Sequence, residues 1–211
     1  MSITSRIGIL GGAFSPPTKG HISLAQKVLS ENLVDHIWIS PCYSHAYSKE
    51  MISPEQRIHM CGIAEKKDSI ITVSSFEIYN KIEGGTLAFI KKLRELDPFN
   101  PNLDLAFKIK LYMIIGLDNA NTIDKWINYK ELIETVPFIV VSRKGITRDI
   151  NVDWYMKEPH KFLDAVDIPE TSSTEVRNII SNSGYNKLGK LMELLDKDVL
   201  DYIIENNLYK K

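Results

Sequence analysis

The stretch that decides the fold is RIGILGGAFSPPTKGHISLAQKVLSENL, Arg6 to Leu33. RIGIL is a short apolar run of the kind that forms a buried strand, and HISLAQKVLSENL has the apolar spacing of an amphipathic helix. Between them, GGAFSPPTKGH (Gly11–His21) is a Gly/Pro-rich loop that carries a histidine into the first helical turn. A strand, a glycine loop and a helix start make an anion site. Glycine lets the backbone approach a phosphate, and the helix N-terminus points free N–H groups at it. Thr18 and His21 are three residues apart, so their side chains can share one face of the junction. The loop lacks the G-x-G-x-x-G dinucleotide fingerprint and the G-x-x-x-x-G-K-[ST] phosphate loop. The plainer alternative is a tight Gly-Gly turn with a structural histidine.

Outward from this unit, strand-like and helix-like segments alternate. DHIWIS (Asp35–Ser40), SIITVSSFE (69–77), LYMIIG (Leu111–Gly116) and FIVVSRKG (138–145) read as strands. SPEQRIHMCGIAEKK, with Ser53 as N-cap and Pro54 at the first helical position, TLAFIKKLREL (Thr86–Leu96) and DKWINYKELIET (124–135) read as helices. Residues 97–110 read as a surface insertion, and Ser173 to Leu208 as two or three helices packed at the sheet edge. The pattern predicts a doubly wound, mostly parallel α/β sheet with a C-terminal helical segment, within one domain over residues 1–211. In such a sheet the Gly11 loop, the turn after Ser40 and the Gly116 turn all fall at strand carboxyl ends and can line one crevice.

Composition narrows the function. A net charge of −1 gives no reason to expect nucleic acid or an anionic membrane as partner. The longest apolar runs are far too short to span a bilayer. MSITSRIGIL runs straight into a strand without a leader pattern, so the expected address is cytoplasmic. Cys42 and Cys61 make neither a disulfide framework nor a zinc spacing. His36, His45, His59 and His160 show no metal spacing either. Of these, His45 falls near the expected crevice. Arg143, Lys144 and Arg148 follow a strand and have two readings, an extension of the phosphate site and, the better of the two, a solvated loop.

A second constellation lies near the other end, in ETSSTEVRNII. Ser172 or Ser173 caps a helix there, and Arg177 sits one turn in, on the side of Ser173 and Thr174. Hydroxyls, backbone amides and a guanidinium at one helix start form a second polyanion cradle; by itself, however, the segment reads better as a plain cap with a solvated arginine.

Taken together, these segments resemble the nicotinate/nicotinamide mononucleotide adenylyltransferases of the nucleotidyltransferase superfamily. GGAFSPPTKGH is similar to that superfamily's G-G-T-F-D-P-x-H-x-G-H loop, with Ala13, Ser15 and Thr18 in place of Thr, Asp and His. TSSTEVR is similar to the I-S-S-T-x-I-R motif. YMIIGLDNANTIDKW resembles the I-I-G-x-D segment and the tryptophan that follows it, and VLDYIIENNLY resembles the family's V-x-x-Y-I-x-x-x-x-L-Y close. The resemblance implies a Rossmann-like nucleotidyltransferase fold and adenylyl transfer from ATP to a pyridine mononucleotide, with magnesium carried by ATP and no metal held by protein ligands alone.

It also implies roles. His21, Thr18 and Arg177 would be catalytic: His21 donating to the α-phosphate, Thr18 holding the same phosphate, Arg177 gripping the departing pyrophosphate. Gly11, Gly12, Ala13 and Phe14 would let ATP approach the backbone, Ser172, Ser173 and Thr174 would meet its phosphates, and Gly116 and Asp118 would meet a ribose. Trp126 would stack on the pyridine ring, with core packing as its other reading. Thr86, Lys49 and His45 would complete the mononucleotide side. A homo-oligomer is compatible with the resemblance. Two rivals stand beside it: another small-molecule nucleotidyltransferase, such as a pantetheine-phosphate adenylyltransferase or a cytidylyltransferase, and a non-catalytic nucleotide sensor.

Overall fold

Residues alternating along RIGIL build the centre of the sheet. Ile7 and Ile9 are buried in one apolar layer and Leu10 in the other, because successive strand residues point to opposite faces. The computed structural model describes residues 3–44, 51–65, 69–96, 99, 107–165, 168 and 171–210. In it β1 (Ile3–Gly12) lies between β2 (His36–Pro41) and β4 (Phe107–Gly116). The sheet runs outward to β3 (Ile71–Val73) on one side, and to β5 (Phe138–Val141) and β6 (Lys161–Leu163) on the other. The order is β3-β2-β1-β4-β5-β6 and every pairing is parallel. A parallel sheet is covered on both faces, so its strands are apolar throughout. β5, FIVV, is buried at all four positions.

Helices supply the two covers. On the Leu10 face, α1 (Lys19–Ser30) contributes Leu24, Ala25 and Val28, and α2 (Pro54–Glu65) contributes Cys61. Ser53 caps α2, its hydroxyl accepting from Gln56 N at 3.3 Å. On the Ile9 face, beyond the single turn α3 (Phe76–Tyr79), α4 (Gly85–Arg94) brings Leu87, Phe89, Ile90 and Leu93. Ala120 of α5 (Leu117–Ala120) and Leu132 of α6 (Tyr129–Thr135) complete that layer. Each fully buried aliphatic side chain in these layers is worth about 1.5–3 kcal/mol. The C-terminal helices α7 (Ser173–Ser183), α8 (Leu188–Leu194) and α9 (Lys197–Glu205) form a third cluster. In it Val176, Ile180, Leu191, Val199 and Ile203 pack with Met60 and Ala64 of α2.

Gly8 is the tightest point on β1, closed in by Ile114 of β4 and Val34 ahead of β2. A Cβ there would lie 2.5 Å from Ile114 Cδ1 and 3.3 Å from Val34 Cγ2. Gly8→Val should therefore overpack this layer and destabilise the fold by about 2–3 kcal/mol, lowering the melting temperature by roughly 4–10 °C. Thermal denaturation checks this; an unchanged melting temperature would contradict the packing described.

Four elements differ from the sequence expectation. The third strand stops at Val73 and Phe76–Tyr79 turns into α3, because this edge strand pairs with β2 over three residues only. Residues 107–110 are not insertion but the start of β4, paired with Ile3–Arg6. DKWINYKELIET is not one helix: Ile123–Lys125 is a 3-10 turn, Trp126 is extended, and Asn128 takes φ 54° before α6 begins. Asparagine tolerates that left-handed conformation better than most residues, so it breaks a continuous helical pattern. β6 was not expected at all, since three residues give too little periodicity to read.

Candidate active site

The crevice lies where the sheet changes direction, between the carboxyl ends of β1 and β4. β1 delivers Gly11 and Gly12 there, and β4 delivers Gly116. The loop between β1 and α1 is tightly built. Phe14 is buried with φ 47°, and its ring meets His21 edge-on, with centroids 5.1 Å apart.

His21 is held by one nitrogen. The Thr18 backbone N–H donates to Nδ1 at 2.9 Å, and the Thr18 Oγ1 lies 2.8 Å from the same nitrogen. A backbone N–H can only donate, so Nδ1 carries no proton and Nε2 carries it. Nε2–H then faces away from Thr18, and the charges of Asp118 and Arg143 both act on the ring. Burial, and secondarily the positive charge of Arg143, push the His21 pKa down to about 4, with Asp118 partly opposing. At neutral pH His21 is thus an uncharged N–H donor of fixed orientation.

Thr18 is only 2% exposed, and its hydroxyl lies between His21 and Thr171 Oγ1, 2.9 Å away. The Thr18 hydroxyl thus bridges His21 and Thr171. The amides at the α1 start are partly engaged as well: Gly20 N–H donates to Thr171 Oγ1 at 3.0 Å and His21 N–H to Thr18 O at 3.0 Å.

The two distant motifs meet here. Ser173 Oγ donates to Pro16 O at 2.8 Å, and Arg177 Nη1 donates to Ser15 O at 2.8 Å. Arg177 Nη2 also reaches Thr174 Oγ1 at 3.1 Å, which orients the guanidinium and leaves its other N–H groups for a ligand. Ser172 caps α7, accepting from Thr174 N at 3.2 Å. Of the three predicted hydroxyls, then, Ser172 and Ser173 chiefly shape the loop and helix start. Tyr209 lies at the C-terminal end with its hydroxyl 3.2 Å from Ser15 Oγ, so the serine that replaces aspartate has a partner of its own.

At the end of β4, Asp118 Oδ1 accepts from Arg143 Nη2 at 2.6 Å. Gly116 lies directly beneath the pair: a Cβ there would stand 2.5 Å from Arg143 Nη2 and would clash with Asp118 Oδ1. Arg143 Nε is buried with no hydrogen-bond partner among the described residues. Arg143 is thus part of this site and not of a solvated loop.

Similarity to known proteins agrees with this geometry. A cytidylyltransferase-like family model matches residues 9–179, which span both the His21 loop and Arg177. A Carboxydothermus hydrogenoformans protein named "Probable nicotinate-nucleotide adenylyltransferase" is 30% identical over 98% of each chain. One of the same name from Methylacidiphilum infernorum is 31% identical over 97% of this chain and 92% of its own. The chain belongs to the nicotinate-nucleotide adenylyltransferase family. Its fold matches that of Plasmodium falciparum nicotinic acid mononucleotide adenylyltransferase complexed with NaAD, with a TM-score of 0.78 and 24% identity over 97% of each chain.

The remaining predicted residues of this adenylyltransferase separate into two groups. Trp126 is half-buried against the Ile9 layer, and Ile127 beside it packs on Gly85 at the start of α4, 3.8 Å from where a Cβ would be. The Thr86 turn and the Trp126 segment are therefore neighbours. His45 and Lys49 lie outside the described residues. His160 is structural, its Nδ1 accepting from Phe138 N at 3.1 Å, and His59 packs against Tyr202.

Two site-supporting residues carried no sequence signal. Arg57, 1% exposed on α2, donates to Ala13 O at 3.0 Å and Ile52 O at 3.2 Å, bracing the glycine loop from behind. Glu77 Oε1 accepts from Tyr43 N at 3.1 Å beside the turn after β2, and burial pushes its pKa up to about 7. Arg57 sits on a segment read as a helix and Glu77 at the end of one read as a strand, and each acts through a tertiary contact that periodicity cannot reveal. Among the described residues no cluster of three His, Cys, Asp or Glu side chains is placed to hold a metal ion, and no helix is long and apolar enough to cross a membrane.

Proposed function

We propose that this enzyme joins ATP and nicotinate mononucleotide, releasing pyrophosphate and forming the dinucleotide. The observation that carries the reading is the meeting of the His21 Nε2–H donor and the Arg177 guanidinium on one loop, at the switch point of the sheet. The attacking group is the 5′-phosphate of the mononucleotide. One of its oxygens bonds to the α-phosphorus of ATP, and the bond from that phosphorus to the bridging oxygen of the β-phosphate breaks. The nucleophile is already an anion, so no base is needed, and the protein's work is positioning and charge stabilisation.

In this reading neutral His21 donates from Nε2 to an α-phosphate oxygen as charge builds there. Arg177, fixed by Ser15 and Thr174, holds the phosphates that leave. Gly11, Gly12, Ala13 and Phe14 carry the backbone that ATP approaches. Asp118, held by Arg143 above Gly116, is placed for a ribose hydroxyl. Trp126 and Thr86, with His45 and Lys49, are assigned to the mononucleotide. Magnesium is assigned to the triphosphate, where it lowers the charge the protein must meet. We place the whole chain in one catalytic unit with a cytoplasmic address.

The preference for the nicotinate form is tested by measuring pyrophosphate release from ATP and magnesium with nicotinate mononucleotide and nicotinamide mononucleotide in parallel. The expected result is a kcat/KM at least about tenfold higher for the nicotinate form, the size of a single well-placed polar contact. Equal values would assign the enzyme to both substrates, and a preference for the amide would reverse the assignment.

A further inference from the structure

Thr171 lies 153 residues from Thr18 in sequence, yet their hydroxyls are 2.9 Å apart and both residues are buried. The direction of this contact follows from its two fixed ends. At one end Gly20 N–H, which can only donate, points at Thr171 Oγ1 from 3.0 Å. Thr171 Oγ1 is therefore an acceptor there, and its own proton is free to go elsewhere. At the other end Thr18 N–H, also only a donor, occupies Nδ1 of His21 from 2.9 Å, so that nitrogen is unprotonated. Thr18 Oγ1, 2.8 Å from the same nitrogen, must then turn its proton toward Nδ1, or two lone pairs would face each other at contact. Its lone pair is left to receive the proton of Thr171. One arrangement leaves no two lone pairs facing each other: Gly20 N–H to Thr171, Thr171 O–H to Thr18, and Thr18 O–H to His21 Nδ1, whose one lone pair it shares with the Thr18 N–H.

The geometry points to Thr171 as a positioning residue for His21, acting through the Thr18 hydroxyl to fix the ring with its Nε2–H toward the crevice. The inference rests on the adenylyl-transfer reading for its effect on turnover, though not for its effect on the histidine itself. Thr171 touches no reacting atom. It sits immediately ahead of the α7 cap, so the same backbone turn that sets Arg177 also sets His21. A chain of hydrogen bonds in a buried setting strengthens each member and is lost as a unit.

Thr171→Val keeps the volume and removes the hydroxyl. It should lower kcat about tenfold with KM for ATP within about twofold, because a displaced donor loses part of a contact made chiefly in the transition state. In a Thr18→Val background, where the relay is already cut, the same change should cost less than about twofold, because residues acting as a unit are not additive. Thr171→Ser should restore the parent rate. Nitrogen and proton NMR of the His21 ring supplies a readout independent of turnover. Thr171 O–H polarises the Thr18 hydroxyl, so its loss weakens a donor into Nδ1 and the His21 titration should rise in Thr171→Val, while burial and Arg143 still hold it below the ordinary range.

An equal loss of kcat in both backgrounds would overturn the relay and leave Thr171 as a clamp on Gly20. A Thr171→Val enzyme with parental kcat and an unmoved His21 titration would overturn it outright. Should that variant fail to fold, Thr171→Cys, a weaker donor of similar size, must shift the His21 titration in the same direction, and an unmoved titration again overturns the proposal. Should the parent protein release no pyrophosphate, the functional reading fails while the titration still decides the relay.

Discussion

His21→Asn should lower kcat by about a thousandfold, the upper range for removing one preorganised donor to a developing charge, while the chain stays folded. Asparagine is the informative replacement because its Oδ1 can stand where Nδ1 stands and accept the Thr18 N–H at the start of α1. Only the Nε2–H donor is then lost. KM for ATP should change by less than about threefold, because an interaction made chiefly in the transition state affects kcat and not ground-state binding. In the parent enzyme kcat/KM, which reports ionisations of the free enzyme, should also be flat between about pH 6 and 8 with respect to this residue. Its pKa, held at about 4 by burial and by Arg143, keeps it neutral throughout that window. Steady-state kinetics with circular dichroism on the same samples checks both statements. A variant that is folded and turns over at near the parental rate would remove His21 from the chemistry.

Arg177→Lys should be almost as damaging as Arg177→Met, each lowering kcat/KM for ATP by about a hundredfold or more. The reason is geometric. The guanidinium donates at once to Ser15 O at 2.8 Å and to Thr174 Oγ1 at 3.1 Å, and still presents further N–H groups. An ammonium on a flexible stem cannot bridge the same two anchors and a phosphate. The Ser15 contact adds a structural component, so the melting temperature should fall by roughly 2–4 °C, the effect of about 1 kcal/mol in a chain of this size. Kinetics and thermal denaturation of both variants separate the two effects. Full activity in Arg177→Lys would mean that charge alone suffices and that the fork described here is incidental.

The sequence carried the frame of this molecule and part of its site, for reasons that particular residues make clear. β1, α1 and the loop between them were legible because the apolar period changes from two to 3.6 across a Gly/Pro punctuation. The proximity of His21 to Thr18 followed from helical spacing alone, and it holds. The direction in which Thr18 points did not follow, because it depends on Thr171, and no local pattern pairs residues 153 positions apart. Arg143 is weighted toward the surface in sequence for a related cause. It follows a strand and precedes Lys144 and Gly145, a context that reads as surface. What brings it into the site is Asp118 at the end of the neighbouring strand β4. Arg57 looked like any helical arginine until the Ala13 carbonyl was seen above it. The 124–135 segment kept a helical period up to Asn128, whose positive φ is invisible in a pattern of apolar positions. Local chemistry was readable, then, wherever one element contains it. It was unreadable where two strand ends or a strand and a distant helix supply one half each.

The most direct test of the central claim is to follow the α-phosphorus itself. The enzyme is incubated with nicotinate mononucleotide, magnesium and ATP labelled at the α-phosphorus, and the products are separated. Adenylyl transfer predicts that the label passes into the dinucleotide and that unlabelled pyrophosphate is released in equal amount. Label remaining in AMP, ADP or unreacted ATP, with no labelled dinucleotide, would contradict it.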